Sequence, residues 1–301
     1  MPVFPAFKNI SIEDHEQLHA VLEAYQPETS ELTFTNLFIW QSHYATQWAV
    51  YRDWLVLRCA DVQGSQYVLP PVGPPNRAQV CRMLLEWLRE ECGVADPRIE
   101  RADRRLVAEL DSENDFVITP HREHFDYVYK TAELISLAGR KLHAKKNHVN
   151  KFTATHTFTY APLDQSLISA CLAMQDTWCH CHRCAEDMNL MGEWDAIKKL
   201  LQHFDRLQVQ GGAIIINGTV EAFTIGELLN RETAVVHIEK ANTAFPGLYS
   251  VINQQFCEHV WHAVPFINRE QDLGDEGLRQ AKLSYHPDHL VEKYCIMPAA
   301  G

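Results

Sequence analysis

Twice along this chain the same succession of elements is written, about 170 residues apart. The first copy is "WAVYRDWLVLRCADVQGSQYVLPPVGPP": strand, turn at Arg52-Asp53, strand, turn at Gln63-Gly64, strand, then a Pro/Gly loop. An amphipathic helix follows, "RAQVCRMLLEWLREECG", closed by Gly93. The second copy is "LQVQGGAIIINGTVEAFTIGELLNRETAVVHIEKAN": strand, an Asn217-Gly218 hairpin turn, strand, short loop, strand. "TAFPGLYSVINQQFCEHVW" then supplies a Pro246-Gly247 turn and a helix. Residue identity between the copies is negligible, so the likeness lies in the order of elements. That order predicts duplicated α/β domains with mixed sheets. Ahead of the first copy, Ser11 to Tyr25 reads as a helix capped by Ser11 with Asp14 at the third position. An apolar run, "TFTNLFIW", follows it.

The 301 residues suffice for two domains, and 46% hydrophobic residues can bury a sizeable core. A net charge of −12 argues against binding nucleic acid over the whole surface but leaves room for a local basic site. No apolar run is long enough to span a membrane, and "MPVFPAFKNISIEDHEQ" lacks the pattern of a signal peptide. Nine scattered Cys suit reduced thiols, and the expected location is cytoplasmic. No Gly/Ser/Pro linker divides the chain.

"GRKLHAKKNHVNKF" breaks the acidic character. Between Leu134 and Leu163 there is no Asp or Glu, while Arg140, Lys141, Lys145, Lys146 and Lys151 crowd together. As a helix over residues 138 to 152, it places Ala138, Leu142, Val149 and Phe152 on one stripe, with Lys145 inside it. Two readings stand: a solvated helix whose lysines cover apolar surface, or an anion site for phosphates of a nucleotide, tRNA or lipid headgroup. The lack of acid favours the second, because a merely soluble face mixes signs.

In the second half, Glu239, Lys240 and Asn242 stand just past a buried-looking strand and before a helix, the place where ligands bind in open α/β sheets. Glu239 is a candidate general base, and the backbone opening the helix at Pro246-Gly247-Leu248 a candidate anion site. The plainer alternative is a capping segment with an exposed Glu-Lys pair. Further on, Arg269 and Asp272 share a short loop, and Arg279 and Lys282 fall on one helix face. These residues bind an anion or merely decorate a C-terminal helix with ion pairs.

"WCHCHRCAED" holds Cys179, His180, Cys181, His182 and Cys184. Only Cys181 and Cys184 have zinc spacing, and no second pair follows, so the expectation is a cluster of reduced thiols and no metal. P-loop, nucleophile-elbow and dinucleotide fingerprints are missing.

The closing run "EGLRQAKLSYHPDHLVEKY" resembles the end of the catalytic C-terminal domain of phosphatidylglycerol lysyltransferases. With "TFTNLFIW", "GRKLHAKKNHVNKF" and "TAVVHIEKAN", the chain resembles nearly end to end an uncharacterised bacterial cytoplasmic family of that superfamily. The resemblance implies two tandem acyltransferase folds of the acetyltransferase type, α/β with mixed, mostly antiparallel sheets, over residues 1–135 and 136–301. It implies transfer of an acyl or aminoacyl group from aminoacyl-tRNA, or from a thioester such as a coenzyme A ester, to an amine or hydroxyl of a small molecule, lipid headgroup or peptide. The alternatives are a non-catalytic nucleotide- or tRNA-binding scaffold and ordinary acetyl-coenzyme A chemistry. The usual coenzyme A loop is not visible, since "NTAFPGLYS" offers one Gly in its place. On this reading Glu239 is the carboxylate near the amine and Lys240 and Tyr249 are its polar partners. Arg140, Lys141, Lys145, Lys146, Asn242, Gly247, Arg269, Arg279 and Lys282 contact the donor or its phosphates. Oligomeric state stays open.

Overall fold

A computed structural model of the chain describes residues 1–181 and 188–299. Two compact units emerge, residues 1–126 with 291–301, and residues 127–290.

Unit 1 is built on strands β1 (Lys8–Asn9), β2 (Gln47–Tyr51), β3 (Trp54–Ala60), β4 (Gln66–Val68), β5 (Ile99–Ala102), β6 (Phe116–Pro120) and the final strand of the chain, β14 (Tyr294–Pro298). Their order in the sheet is β1-β2-β3-β4-β5-β14-β6. The division read from the sequence, at 135/136, assigns the last residues to the second half; here β14 pairs with β5 and β6 of unit 1. Helices α1 (His15–Tyr25), α2 (Phe34–Ile39), α3 (Gln41–Tyr44), α4 (Ala78–Glu90) and α5 (Arg104–Leu110) complete it. The Ser11 backbone N–H and hydroxyl both donate to Asp14, the reciprocal cap the sequence suggests, although α1 itself starts one turn later. "TFTNLFIW" becomes α2, because the Thr33 hydroxyl accepts from the Asn36 N–H and starts a turn. The apolar stripe of α4, Val80, Leu84 and Leu88 among it, packs on Val56, Val68, Ile99 and Ile296.

Unit 2 holds β7 (Asp126–Lys130), β8 (Thr159–Pro162), β9 (Gln210–Ile216), β10 (Thr219–Asn230), β11 (Thr233–Ala241), β12 (Phe266–Asn268) and β13 (His289–Val291), the outermost residues of β7 and β13 falling to unit 1. The sheet order is β13-β7-β12-β11-β10-β9-β8. Its helices are α6 (Thr131–Ser136), α7 (His143–Thr155), α8 (Gln165–Cys181), α9 (Met188–Gln202), α10 (Phe204–Leu207), α11 (Leu248–His259) and α12 (Glu276–Leu283). The Asn217-Gly218 turn is where expected, with φ of 51° and 81°, as a two-residue hairpin requires.

The two sheets repeat one plan. An antiparallel hairpin series (β2-β3-β4, β9-β10-β11) is followed by a helix and then a strand parallel to the last of the series. Thus β4 lies parallel to β5 after α4, and β11 parallel to β12 after α11. A crossover helix is what a parallel pairing demands. It is the element order that the sequence repeats.

Candidate active site

One irregularity in β11 decides where its polar residues go. Ile238 stands opposite Ile225, but Val236 stands opposite Gly226, so His237 is an extra residue on β11. Such a bulge shifts the alternation of side chains. Gly226 permits it, since a Cβ there would meet the Val235 carbonyl oxygen at 2.3 Å. Ala234 and Val236 face α11, and after the bulge Glu239 and Ala241 face it as well. Lys240 turns to the other face.

β11 loses its neighbour at the same level. The parallel ladder to β12 ends at Val235–Asn268, and beyond it the chain turns back at Glu270, φ 58°, with the Asn268 side chain accepting from the Glu270 N–H. The turn delivers Arg269 into the gap. Its Nη2 donates to Glu239 Oε1 at 2.7 Å, and Asn253 Nδ2, from the buried face of α11, donates to Glu239 Oε2 at 3.0 Å. Two polar atoms remain buried beside this carboxylate without a partner: Asn253 Oδ1, an acceptor, and Arg269 Nη1, a donor. Buried polar atoms normally find partners, so this pair marks a place prepared for one.

An aromatic wall carries the cations. The Arg269 guanidinium lies 4.8 Å from the Tyr285 ring centroid and 5.8 Å from that of Tyr129, and Lys145 Nζ lies 4.2 Å from that of Tyr285. Burial pulls the Arg269 pKa down, but Glu239 above all holds it above the ordinary value. Burial, with the neighbouring Arg269, lowers the pKa of Lys145. Burial raises that of Tyr285, whose hydroxyl lies 3.1 Å from the Ser250 hydroxyl.

The basic helix divides its charge. It spans His143–Thr155 and not 138–152, because Leu137 and Gly139 adopt left-handed φ of 45° and 87° and end the previous helix. Ala138 is therefore exposed, while Leu142 and Phe152 are buried as the stripe predicts. Lys145 points to the Tyr285 wall. Arg140, Lys141 and Lys146 are exposed and, with Gly139, line an open hollow of about 740 Å³.

Other candidate residues are engaged elsewhere. Lys240 does not pair with Glu239; its Nζ binds Glu193 at 2.7 Å and sits 3.6 Å from the Trp178 ring centroid, with its pKa lowered by burial. Tyr249, whose pKa burial raises, lies within reach of the charges of Glu239 and Glu193. Asn242 Nδ2 donates to Glu221 at 2.7 Å. Gly247, φ 95°, opens α11 against α7, where a Cβ would come within 2.9 Å of the His148 carbonyl oxygen, and the Leu248 N–H at the helix start donates to the Phe245 carbonyl oxygen at 3.1 Å. Arg279 binds the fully buried Asp272 through two hydrogen bonds of 2.9 and 3.0 Å. Burial would raise the Asp272 pKa, but Arg279 and the Tyr127 hydroxyl hold it at about 2. Lys282 Nζ donates to the carbonyl oxygens of Arg269 and Glu270. Arg279 and Lys282 thus brace the turn that presents Arg269. His237 bridges Glu227 and Glu270 at 2.9 Å each and ties the bulge to the same turn.

The sequence reading missed Asn253, Tyr285, Tyr129 and His237. Nothing local marks them, because each reaches the site through pairings distant in sequence. In the Cys/His run, Cys179 is disulfide-bonded, so the expected cluster of reduced thiols does not hold there. The Cys181 side chain, His182 and Cys184 lie outside the described residues. Cys59, Cys81, Cys92, Cys171, Cys257 and Cys295 are free. No helix among the described residues is long and apolar enough to cross a membrane.

The family pattern described as "Phosphatidylglycerol lysyltransferase, C-terminal" matches residues 22–297. A conserved protein of unknown function from Bacteroides thetaiotaomicron is similar in structure, with a TM-score of 0.89, 34% identity and coverage of 97% of this chain and 99% of that one. The C-terminal domain of a putative lysylphosphatidylglycerol synthetase from Agrobacterium fabrum aligns with a TM-score of 0.67 at 13% identity, over 95% and 92% of the two chains. A tandem GNAT protein from the clavulanic acid pathway shares the fold at a TM-score of 0.52 and 8% identity, over 97% of each chain. An uncharacterised protein of Mycoplasmoides gallisepticum is 22% identical over 58% of this chain, and the match spans 57% of that curated relative's length.

Proposed function

We propose, from the premise that the chain belongs to the phosphatidylglycerol lysyltransferase C-terminal family, that it is an aminoacyl or acyl transferase whose centre is Glu239. Family and fold are those of acyltransferase-type enzymes. The donor, on this reading, is an aminoacyl-tRNA or a thioester, and the acceptor an amine or a hydroxyl. The observation that carries the reading is the carboxylate held by Arg269 and Asn253 beside two buried, partnerless polar atoms.

Glu239 takes the proton from the attacking amine or hydroxyl as the new bond to the donor carbonyl carbon forms. Negative charge then grows on the carbonyl oxygen, and the free Nη1 of Arg269, with the Lys145 ammonium nearby, supplies donors for it. The ester or thioester bond breaks, and the leaving hydroxyl or thiol recovers the proton. Asn253 Oδ1 accepts a hydrogen bond from a donor N–H, which suits the α-amine of an aminoacyl group. Arg140, Lys141 and Lys146 hold the donor's phosphates at the hollow, working in the cytoplasm.

Labelled aminoacyl-tRNA and labelled acyl-coenzyme A, each offered with a panel of amines and hydroxyl compounds, test this directly. A labelled acceptor from the tRNA ester supports aminoacyl transfer, and one from the thioester supports ordinary acyl transfer. Binding of either donor with no product at all supports the scaffold reading and removes the catalytic one.

A further inference from the structure

In unit 1, three neighbouring strands bring a carboxylate, an imidazole and a thiol to one point. Glu100 lies on β5, Cys295 on β14 and His121 just past β6, and β14 is the strand between the other two. The convergence depends on an irregularity. Tyr294 pairs with Ala102 and Ile296 with Ile99, so two steps of β14 span three of β5. The extra residue is accommodated by Arg101 at φ 61°, a left-handed backbone that a non-glycine residue adopts only under constraint. Arg101 turns to Glu31, 3.5 Å away, and Glu100 is left on the face of Cys295. His121 is fixed by its backbone N–H, which donates to the Lys293 carbonyl oxygen.

One ligand-capable atom from each of the three lies within 4.8 Å of the other two. Glu100 Oε2 and His121 Nδ1 are 3.2 Å apart. Both atoms are buried and face each other as an ion pair without a well-aligned hydrogen bond, and the Cys295 side chain also reaches Glu100. Two oxygen or nitrogen ligands about 2.0–2.1 Å from a tetrahedral zinc ion stand about 3.3 Å apart, a spacing that this carboxylate–imidazole pair already has and could keep with an ion between its atoms. The other Glu100 oxygen is held at 2.8 Å by Arg98 Nε, and Arg98 Nη2 is held in turn by Asp61 at 2.9 Å. That outer bond aims Oε2 inward, as partners of metal ligands do.

We propose that Glu100, His121 and Cys295 form a binding site for a borderline-soft divalent ion of the zinc class, a clamp across β5, β14 and β6. Carboxylate, imidazole and thiolate together select such an ion over magnesium or calcium. The thiolate and carboxylate bring two negative charges, and Arg98 offsets one. Binding forms the sulfur–metal bond as the Cys295 thiol gives its proton to solvent. Three protein ligands leave a fourth position for water.

The test uses Co2+ alone as the probe, on the full chain with Cys179→Ser, Cys181→Ser and Cys184→Ser introduced together, so that the Cys/His run contributes no thiolate and no cysteine released from a disulfide. The expected result is one equivalent of Co2+ with a sulfur-to-cobalt charge-transfer band. Cys295→Ser removes the band, and His121→Gln weakens the affinity by at least about tenfold, no less than loss of an outer-sphere partner costs. Zn2+ displaces the Co2+ and raises the melting temperature of the parent but not of either variant. Circular dichroism checks that Cys295→Ser folds; should it not, His121→Gln decides, since that side chain is 32% exposed. Absence of the band in the parent, or its persistence at unchanged affinity in His121→Gln, overturns the site.

Discussion

Replacing His237 by Gln should reveal how the turn before α12 is held. The imidazole side chain is 1% exposed and sits between Glu227 and Glu270. Burial alone would lower its pKa, but hydrogen bonds to both carboxylates raise it to about 9, from an ordinary 6.5. A folded pKa above the unfolded one means the folded state holds the proton more tightly. The stabilisation is complete below about pH 6.5 and is lost as pH rises through about 9. At 1.36 kcal/mol per unit, the shift is worth about 3 kcal/mol. Gln keeps a donor for one carboxylate and carries no charge. Denaturant unfolding of parent and His237→Gln at pH 6 and pH 10 measures the effect. The two proteins should differ by a few kcal/mol at pH 6, and the gap should narrow by about 3 kcal/mol at pH 10. A gap independent of pH would show that His237 does not hold its proton between the two carboxylates, and the argument that it pins the Arg269 turn would go with it.

Lys293→Met in unit 1 leaves Glu31 and Asp126 buried without the ammonium that lies 2.7 and 2.6 Å from them, and should cost about 3–5 kcal/mol in unfolding free energy; adding Glu31→Gln should restore part of it. Gly247→Ala forces a left-handed residue and a clash with the His148 carbonyl oxygen, so a loss of about 2 kcal/mol is expected by the same measurement. The double change Lys141→Glu, Lys146→Glu should weaken tRNA binding and reduce the slope of log affinity against log salt by about 2, as followed by anisotropy between low and moderate salt. An unchanged slope would take the hollow out of donor binding.

The repeat of elements was legible because its parts announce themselves locally. Asn217-Gly218 and Gln63-Gly64 can only turn, and the Leu84, Leu88 stripe can only bury. The basic stretch was legible as charge but not as geometry, since Gly139 stops the earlier helix and moves the start of α7 to His143. The site itself was half legible. Glu239 stood out at the end of its strand, but strict alternation puts it on the face of Val235, and only the extra residue at His237 turns it toward α11. Its partners come from α11 and from the turn after β12, and no local pattern encodes such pairings. Arg279 and Lys282 were read as ligand-binding because exposure and charge look alike in a sequence, whether a cation meets a ligand or braces a buried carboxylate such as Asp272.

Glu239→Gln, isosteric and still able to meet Asn253 and Arg269, probes the transfer centre most directly. The measurement is the single-turnover rate of transfer from the donor that the parent accepts, in protein shown to be folded by circular dichroism. The account predicts a loss of about 10²–10⁴-fold, the usual worth of a general base. An unchanged rate would contradict it and leave Glu239 as nothing more than the counter-ion of Arg269.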